Sequence, residues 1–191
     1  ATPPAPAVSH YRDAFERLRP LLPGAPARRA AALGRFAELG FPGAREEAWK
    51  YTSLRRLESR RFVPASLSMT VAEVPAALAA HRLCVVNGMV QGPVPATVAG
   101  FAVGGAGMDA DDDLLRPLAS GGTERFSELH AALAAGPLAL SMPAGRQSDE
   151  VLQLSLLTAG SGPTLASPRV VVRMAPGSRG RLLLEHADDG T

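Results

Sequence analysis

The chain has 191 residues, 20 Lys and Arg against 18 Asp and Glu, 46% hydrophobic residues and a single cysteine. That length suits one ordinary domain or two small ones and supports a core without covalent staples, while Cys84 alone excludes an internal disulfide and no apolar run approaches the roughly 20 residues of a bilayer span. The start, ATPPAPAVSHYRDAF, shows no basic segment followed by an apolar stretch; no secretory signal is read there, and a soluble, reducing, cytoplasmic setting is expected.

Residues 1–8 form a Pro/Ala lead-in without periodicity and are expected to be extended or disordered. Ser9 can cap a helix in which Tyr11, Phe15, Leu18 and Leu22 share one face, and Pro23 and Gly24 end it. A second helix begins near Pro26, turns Leu33, Phe36 and Ala37 inward, and stops at Leu39, where Gly40 can adopt positive φ and Phe41 can fold back. Gly43 to Leu57 reads as one or two short helices. Residues 1–62 carry twelve basic against six acidic residues, a net +6, and residues 63–191 carry eight against twelve, a net −4. The arginines alternate with acids at helical spacing, so a solvated helix face explains them better than a nucleic-acid arm.

In LCVVNGMVQG, Asn87 and Gly88 stand between two apolar runs and predict a β-hairpin near 83–92. Residues 95–123 are Gly-rich and acidic, with Leu114 and Leu115 as a short apolar pair. Thr123 or Ser127 can cap a helix with Phe126, Leu129 and Leu133 on one stripe. From Gly136 the period becomes two: Leu138, Leu140 and Met142, then Leu152, Leu154 and Leu156, then Val170, Val172 and Met174, then Leu182 and Leu184. Four short strands follow, which a β-sandwich and a β-solenoid both explain. The β-solenoid is the sharper option, because it stacks short strands and closes each turn with small residues. The stretch HADDGT resembles no cap for such a stack, so the stack reads as cut short. The expected fold class is α+β, with an N-terminal mainly helical domain over 9–135 and the first turns of a β-helix over 136–191.

Candidate chemistry is sparse. GGAGMDADD from Gly104 is one imperfect copy of a calcium-binding nonapeptide, with Asp111 where an apolar residue is needed; Asp109, Asp111, Asp112 and Asp113 suit a solvated loop leading into a helix N-terminus. His81 and Cys84 have a metal-knuckle offset but lack a second pair. Cys84 in an apolar run is more simply a small core residue. His186, Asp188 and Asp189 have no G-x-S-x-G serine to serve, and Lys50 lies outside any phosphate-binding glycine loop. No catalytic, cofactor-binding or metal residue is assigned, and no enzyme activity is expected. Trp49 and Tyr51 could stack nucleic-acid bases beside their arginines, but EEAWKYTSL reads as helix and turn with both rings packed inward as struts.

The stretch GFPGAREEAWKYTSLRRL resembles the signature of the SufB/SufD family, in particular the SufD scaffolds of the Suf iron-sulfur cluster assembly system, with G-[FL]-P followed by R-x-E-x-W-[KR]-Y-T-x-L. LCVVNGMV, FSELHAALAAGPLALSMPAG and SPRVVVRMAPGSRGRLLLEH are similar to later family segments in the same order, with His130 where Asn is common and Val151 near a usual Pro. The resemblance implies a non-catalytic scaffold, about half of a protein with a β-helix core and a C-terminal helical domain. It implies SufB-like and SufC-like partners, contacted mainly through the C-terminal half that this chain lacks. It also implies an iron-sulfur cluster handled by the whole complex and ATP used by the SufC partner, with no cofactor in this chain. One cysteine cannot hold a cluster unaided, since protein-held clusters take four thiolates or thiolates mixed with His. No nucleic acid and no membrane are expected as partners, and an open β-stack would favour self-association. Two alternatives remain: a β-solenoid enzyme acting on acidic polysaccharide, and an RNA-binding module using the basic first 62 residues.

Overall fold

The computed structural model describes residues 6–43, 46–65, 74–104, 125–160 and 162–188. Helix α1 spans Pro6–Leu18, so residues 6–8 are helical rather than part of an extended lead-in. The cause is packing: Val8 is buried with Tyr11, Phe15 and Leu22, and proline suits the first helical position because its missing N–H has no helical partner there. Helix α2, Pro26–Leu39, presents Arg29, Ala32, Leu33 and Phe36 to the interior. Gly40 closes it at φ +65°, its N–H donating to the Phe36 carbonyl at 2.8 Å. Phe41 then folds back onto Phe36 with ring centroids 5.4 Å apart, as the Gly-Phe pair predicts.

A 3-10 turn over Glu47–Trp49 and the short helix α3, Arg55–Ser59, follow. Helix α4, Arg125–Leu133, buries Leu129, Ala131, Ala132 and Leu133 against α1 and α2. Ser127 lies inside this helix and does not cap it; Thr123, Leu114 and Leu115 lie outside the described residues.

Among the described residues ten strands form three sheets. β1 (Val63–Pro64) pairs in parallel with β8 (Thr164–Leu165). β2 (His81–Val86) turns through Asn87 and Gly88, both at positive φ, into β3 (Met89–Val90), forming the expected hairpin. β4 (Thr97–Val98) and β5 (Phe101–Gly104) form a second hairpin around Ala99 and Gly100, within a stretch that shows no strand period. β6 (Pro137–Met142), β7 (Gln147–Thr158), β9 (Arg169–Met174) and β10 (Arg179–Asp188) coincide with the four period-two runs. The two larger sheets have the orders β10-β7-β2-β3 and β4-β5-β6-β9.

The expected β-helix is overturned by this topology. Both four-stranded sheets are mixed: β10-β7-β2 and β6-β9 are parallel, whereas β2-β3, β4-β5 and β5-β6 are antiparallel. Leu83, Val85, Leu152 and Leu154 from one sheet and Phe101, Leu138, Leu140 and Met142 from the other form one buried cluster. The chain is therefore mixed α/β with facing sheets. Hairpins at Asn87-Gly88 and Ala99-Gly100 reverse the chain locally, and a solenoid needs parallel pairing of every turn. β2, which the sequence assigns to the helical region, is an internal strand beside β7. Among the described residues no helix is long and apolar enough to cross a membrane.

Candidate functional site

The block from Phe41 to Phe62 is held by polar and aromatic contacts to α4. The Glu46 carboxylate accepts from the Gly43 N–H at 2.9 Å and pairs with Arg125 at the start of α4. The Arg125 hydrogen bond, with a smaller contribution from the Gly43 N–H, holds the Glu46 carboxyl below its usual range. Trp49 lies 5.7 Å from the Phe126 ring, which in turn lies 5.8 Å from Phe41. The indole is half-buried and fills the strut role expected of it. Tyr51 does not: it is 91% exposed, with the Lys50 ammonium 5.4 Å from its ring. The tight turn at 49–52, closed by the Thr52 N–H to the Trp49 carbonyl at 2.9 Å, sends the two rings in different directions. Exposed Arg55, Arg56, Arg60 and Arg61 follow, with Glu58 exposed among them.

Beside α4 a cleft of about 460 Å³ is lined by Phe126, Ser127, His130, Leu165, Ser167 and Arg169, among others. His130 is pushed down to about 4, first by burial and then by the positive charges of Arg169 and Arg29. At neutral pH it is therefore an uncharged imidazole. Arg29 is buried; its Nε donates to the Pro23 carbonyl at 2.7 Å and its Nη1 to the Ala132 carbonyl at 3.0 Å and the Ala131 carbonyl at 3.4 Å. It closes the C-terminal end of α4, where the last carbonyls lack helical partners. Burial lowers Arg29 to about 10, which leaves it charged at neutral pH.

A third polar group lies on the face of β7 that points away from the facing sheet. Arg82 is in register with Gln153, and Cys84, Ser155 and Glu185 stand in one row across β2, β7 and β10. Glu185 accepts from Ser155 at 2.6 Å and Gln153 at 2.9 Å and lies 3.6 Å from Arg82. These donors, Ser155 first, hold its carboxyl below the usual range. Gln153 also accepts the N–H groups of Leu78 and Ala79, at 2.7 and 3.0 Å, so the segment after residue 74 roofs the row.

The candidate constellations of the sequence separate. His81 lies 3.4 Å from Glu150, and Cys84, an odd number of residues along the same strand, points to the opposite face. His186 is exposed on β10, and Asp188 follows two residues later; Asp189 lies outside the described residues, as do Asp109, Asp111, Asp112 and Asp113. Among the described residues no three His, Cys, Asp or Glu converge as a metal site requires. The sequence reading missed Arg29, although its spacing of three, four and seven from Ala32, Leu33 and Phe36 places it on the buried stripe. It also missed the Gln153–Ser155–Glu185 row, which gives no signal beyond alternation. No protein-family model matches the chain, and no curated protein matches it either.

Proposed function

We propose that this chain acts as a non-catalytic, SufD-like scaffold in iron-sulfur cluster assembly, in the cytoplasm, with SufB-like and SufC-like proteins as partners. The observation that carries the reading is the construction of the signature block. Glu46 and Trp49 are used to fasten it to α4, while Lys50, Tyr51 and the arginines after them stay in solvent. Tyr and Arg are over-represented among residues that dominate protein interfaces. The ordered likeness of the later segments to the same family supports it as well. The cluster and the ATP would be handled by the assembled complex, since Cys84 alone supplies a single thiolate. The natural gene product containing this sequence, co-expressed with SufB and SufC homologues of the same organism, should co-purify with at least one; recovery of neither sinks the reading.

A second reading, single-stranded RNA binding, is favoured by the exposed Tyr51 beside Lys50 and four arginines. It predicts binding of labelled oligouridine that weakens steeply with salt and drops about tenfold in Tyr51→Ala, base stacking on an aromatic ring contributing about 1–3 kcal/mol. No binding at low salt excludes it.

A further inference from the structure

The cleft beside α4 joins apolar walls to positive charge. Phe126, Leu165 and Val170 supply apolar surface, and the polar groups are Ser127, His130, Ser167 and Arg169. Ser127 and His130 stand three residues apart on α4 and so share a face, while Arg169 opens β9 with Ser167 two positions before it. The described residues that line the cleft include no Asp or Glu; Glu128, also on α4, pairs with Arg35 at 2.8 Å. Arg169 and Arg29 are only 7 and 4% exposed, and after burial itself it is their charges that lower His130, so a positive field persists at the ring. The wall that carries Ser167 is braced: a Cβ at Gly88 would stand 3.3 Å from the Ser167 carbonyl oxygen. The neighbouring Asn87 side chain donates to the Ala159 carbonyl at 2.9 Å and accepts from its N–H at 3.0 Å. The facing wall is α4, held by Leu129 and Leu133 in the helical core. The cleft is therefore built before any ligand arrives, which lowers the ordering cost of binding.

We propose that this cleft binds a small organic oxyanion, a carboxylate or phosphate ester whose head meets Arg169, Ser127, Ser167 and His130 and whose apolar body lies against Phe126, Leu165 and Val170. The volume of about 460 Å³ falls within the range of ligand pockets, which are mostly apolar with a few convergent polar groups. A guanidinium offers its donors in a planar fork that matches either head. The two hydroxyls turn to suit the oxygen they face, and an uncharged imidazole adds one N–H donor. A cation entering here would meet Arg169 and Arg29 with no carboxylate in the lining to offset them. The cationic groups lie inside a concavity rather than along an exposed track, which suits a small anion and not a nucleic-acid backbone. A bound anion also offsets the two arginines at His130, so anion binding and protonation of that ring reinforce each other.

The proposal is independent of the scaffold reading and is tested on the purified natural gene product by titration calorimetry with naphthyl phosphate, naphthoate and uncharged naphthol. At least one anion should bind about tenfold or more tightly than naphthol, and the tighter of the two identifies the head as phosphate or carboxylate. Arg169→Gln should weaken that anion about tenfold, the loss expected on removing a charged hydrogen-bond partner, and Arg169→Lys should recover part of it. Should Arg169→Gln fail to fold, Ser127→Glu decides: it sets a like charge in the cleft and should also weaken binding about tenfold, with unchanged far-ultraviolet circular dichroism. Followed by NMR and assigned with His130→Asn, the ring titration of His130 should move up from about 4 when the anion is bound. Arg29 of α2 and Arg169 of β9, the charged groups that act on this ring, stay cationic throughout, so the move reports the anion. No binding of either anion overturns the proposal, as does equal affinity for naphthol, binding indifferent to Ser127→Glu, or an unmoved His130 titration.

Discussion

The Arg29 guanidinium donates to the Ala132 carbonyl at 3.0 Å, joining the first turn of α2 to the last turn of α4 across 103 residues. A positive charge there also meets the negative end of the α4 dipole. Replacing it by Met keeps the volume and leaves buried carbonyls without a donor. Hydrogen bonds to charged groups contribute about 1.5–3 kcal/mol each, so Arg29→Met should lower the unfolding free energy by about 3 kcal/mol in urea melts. Arg29→Lys should recover part of that loss, since it keeps the charge but not the planar fork.

His130 gives stability a defined pH dependence. Its folded value of about 4 lies below the 6.5 of an unperturbed imidazole, so between these values the unfolded chain binds a proton that the folded chain refuses. Stability is complete above about pH 6.5 and falls as pH drops toward 4, by about 1.4 kcal/mol per unit over the steep part. Glu46 and Glu185, both lowered, add their losses only below the ordinary carboxylate range. Urea midpoints measured between pH 7 and 5 should decline in the wild type and stay flat in His130→Asn. Equal slopes in both would remove His130 as the cause.

The two aromatic residues of the signature block should behave oppositely. Trp49→Ala removes a half-buried ring from Phe126 and should cost about 1–2 kcal/mol. Tyr51→Ala touches solvent and should stay within about 0.5 kcal/mol of wild type. Thermal melts of the two variants make the comparison, and a Tyr51→Ala loss as large as that of Trp49→Ala would contradict the exposed placement.

Gly180 on β10 admits no side chain: a Cβ there would stand 2.6 Å from Phe101 Cζ and 2.7 Å from Met142 Cε. Overpacking of this kind costs about 1–3 kcal/mol. Gly180→Ala should therefore destabilise measurably, and the double variant with Met142→Ala, which frees space beside the new methyl group, should lose less than the sum of the two single losses.

Much of the local structure was legible because it follows from period and turn chemistry. Tyr11 and Phe15 declare one helix face, Gly40 its neighbour's end, and Asn87-Gly88 a hairpin; the helix stops at Leu18, short of the expected Leu22, which follows a 3-10 turn in extended backbone. Pairing was not legible. Period two says which face of β7 is apolar, and nothing in it says that His81–Val86 will lie alongside Leu152–Leu157; the β-helix expectation failed at that step. The site was less readable still. Arg29 carries a charge at a buried position because two distant carbonyls need it, and Tyr51 is exposed because of a single turn; both facts belong to tertiary structure. Gln153 and Ser155 alternate with the leucines and yet are fully buried, since their cover comes from residues more than 70 positions earlier.

The roofed row on β7 also restricts how the central strands can assemble. Shifting β7 by one position would drive Gln153 and Ser155 among the leucines and strand the Glu185 carboxylate without donors. A misaligned zipper thus carries a penalty at several points simultaneously, and a nascent chain that pairs these strands wrongly has reason to let go and try again. The amide and hydroxyl act as an alignment key, confining three otherwise interchangeable leucine-rich ribbons to one mutual offset.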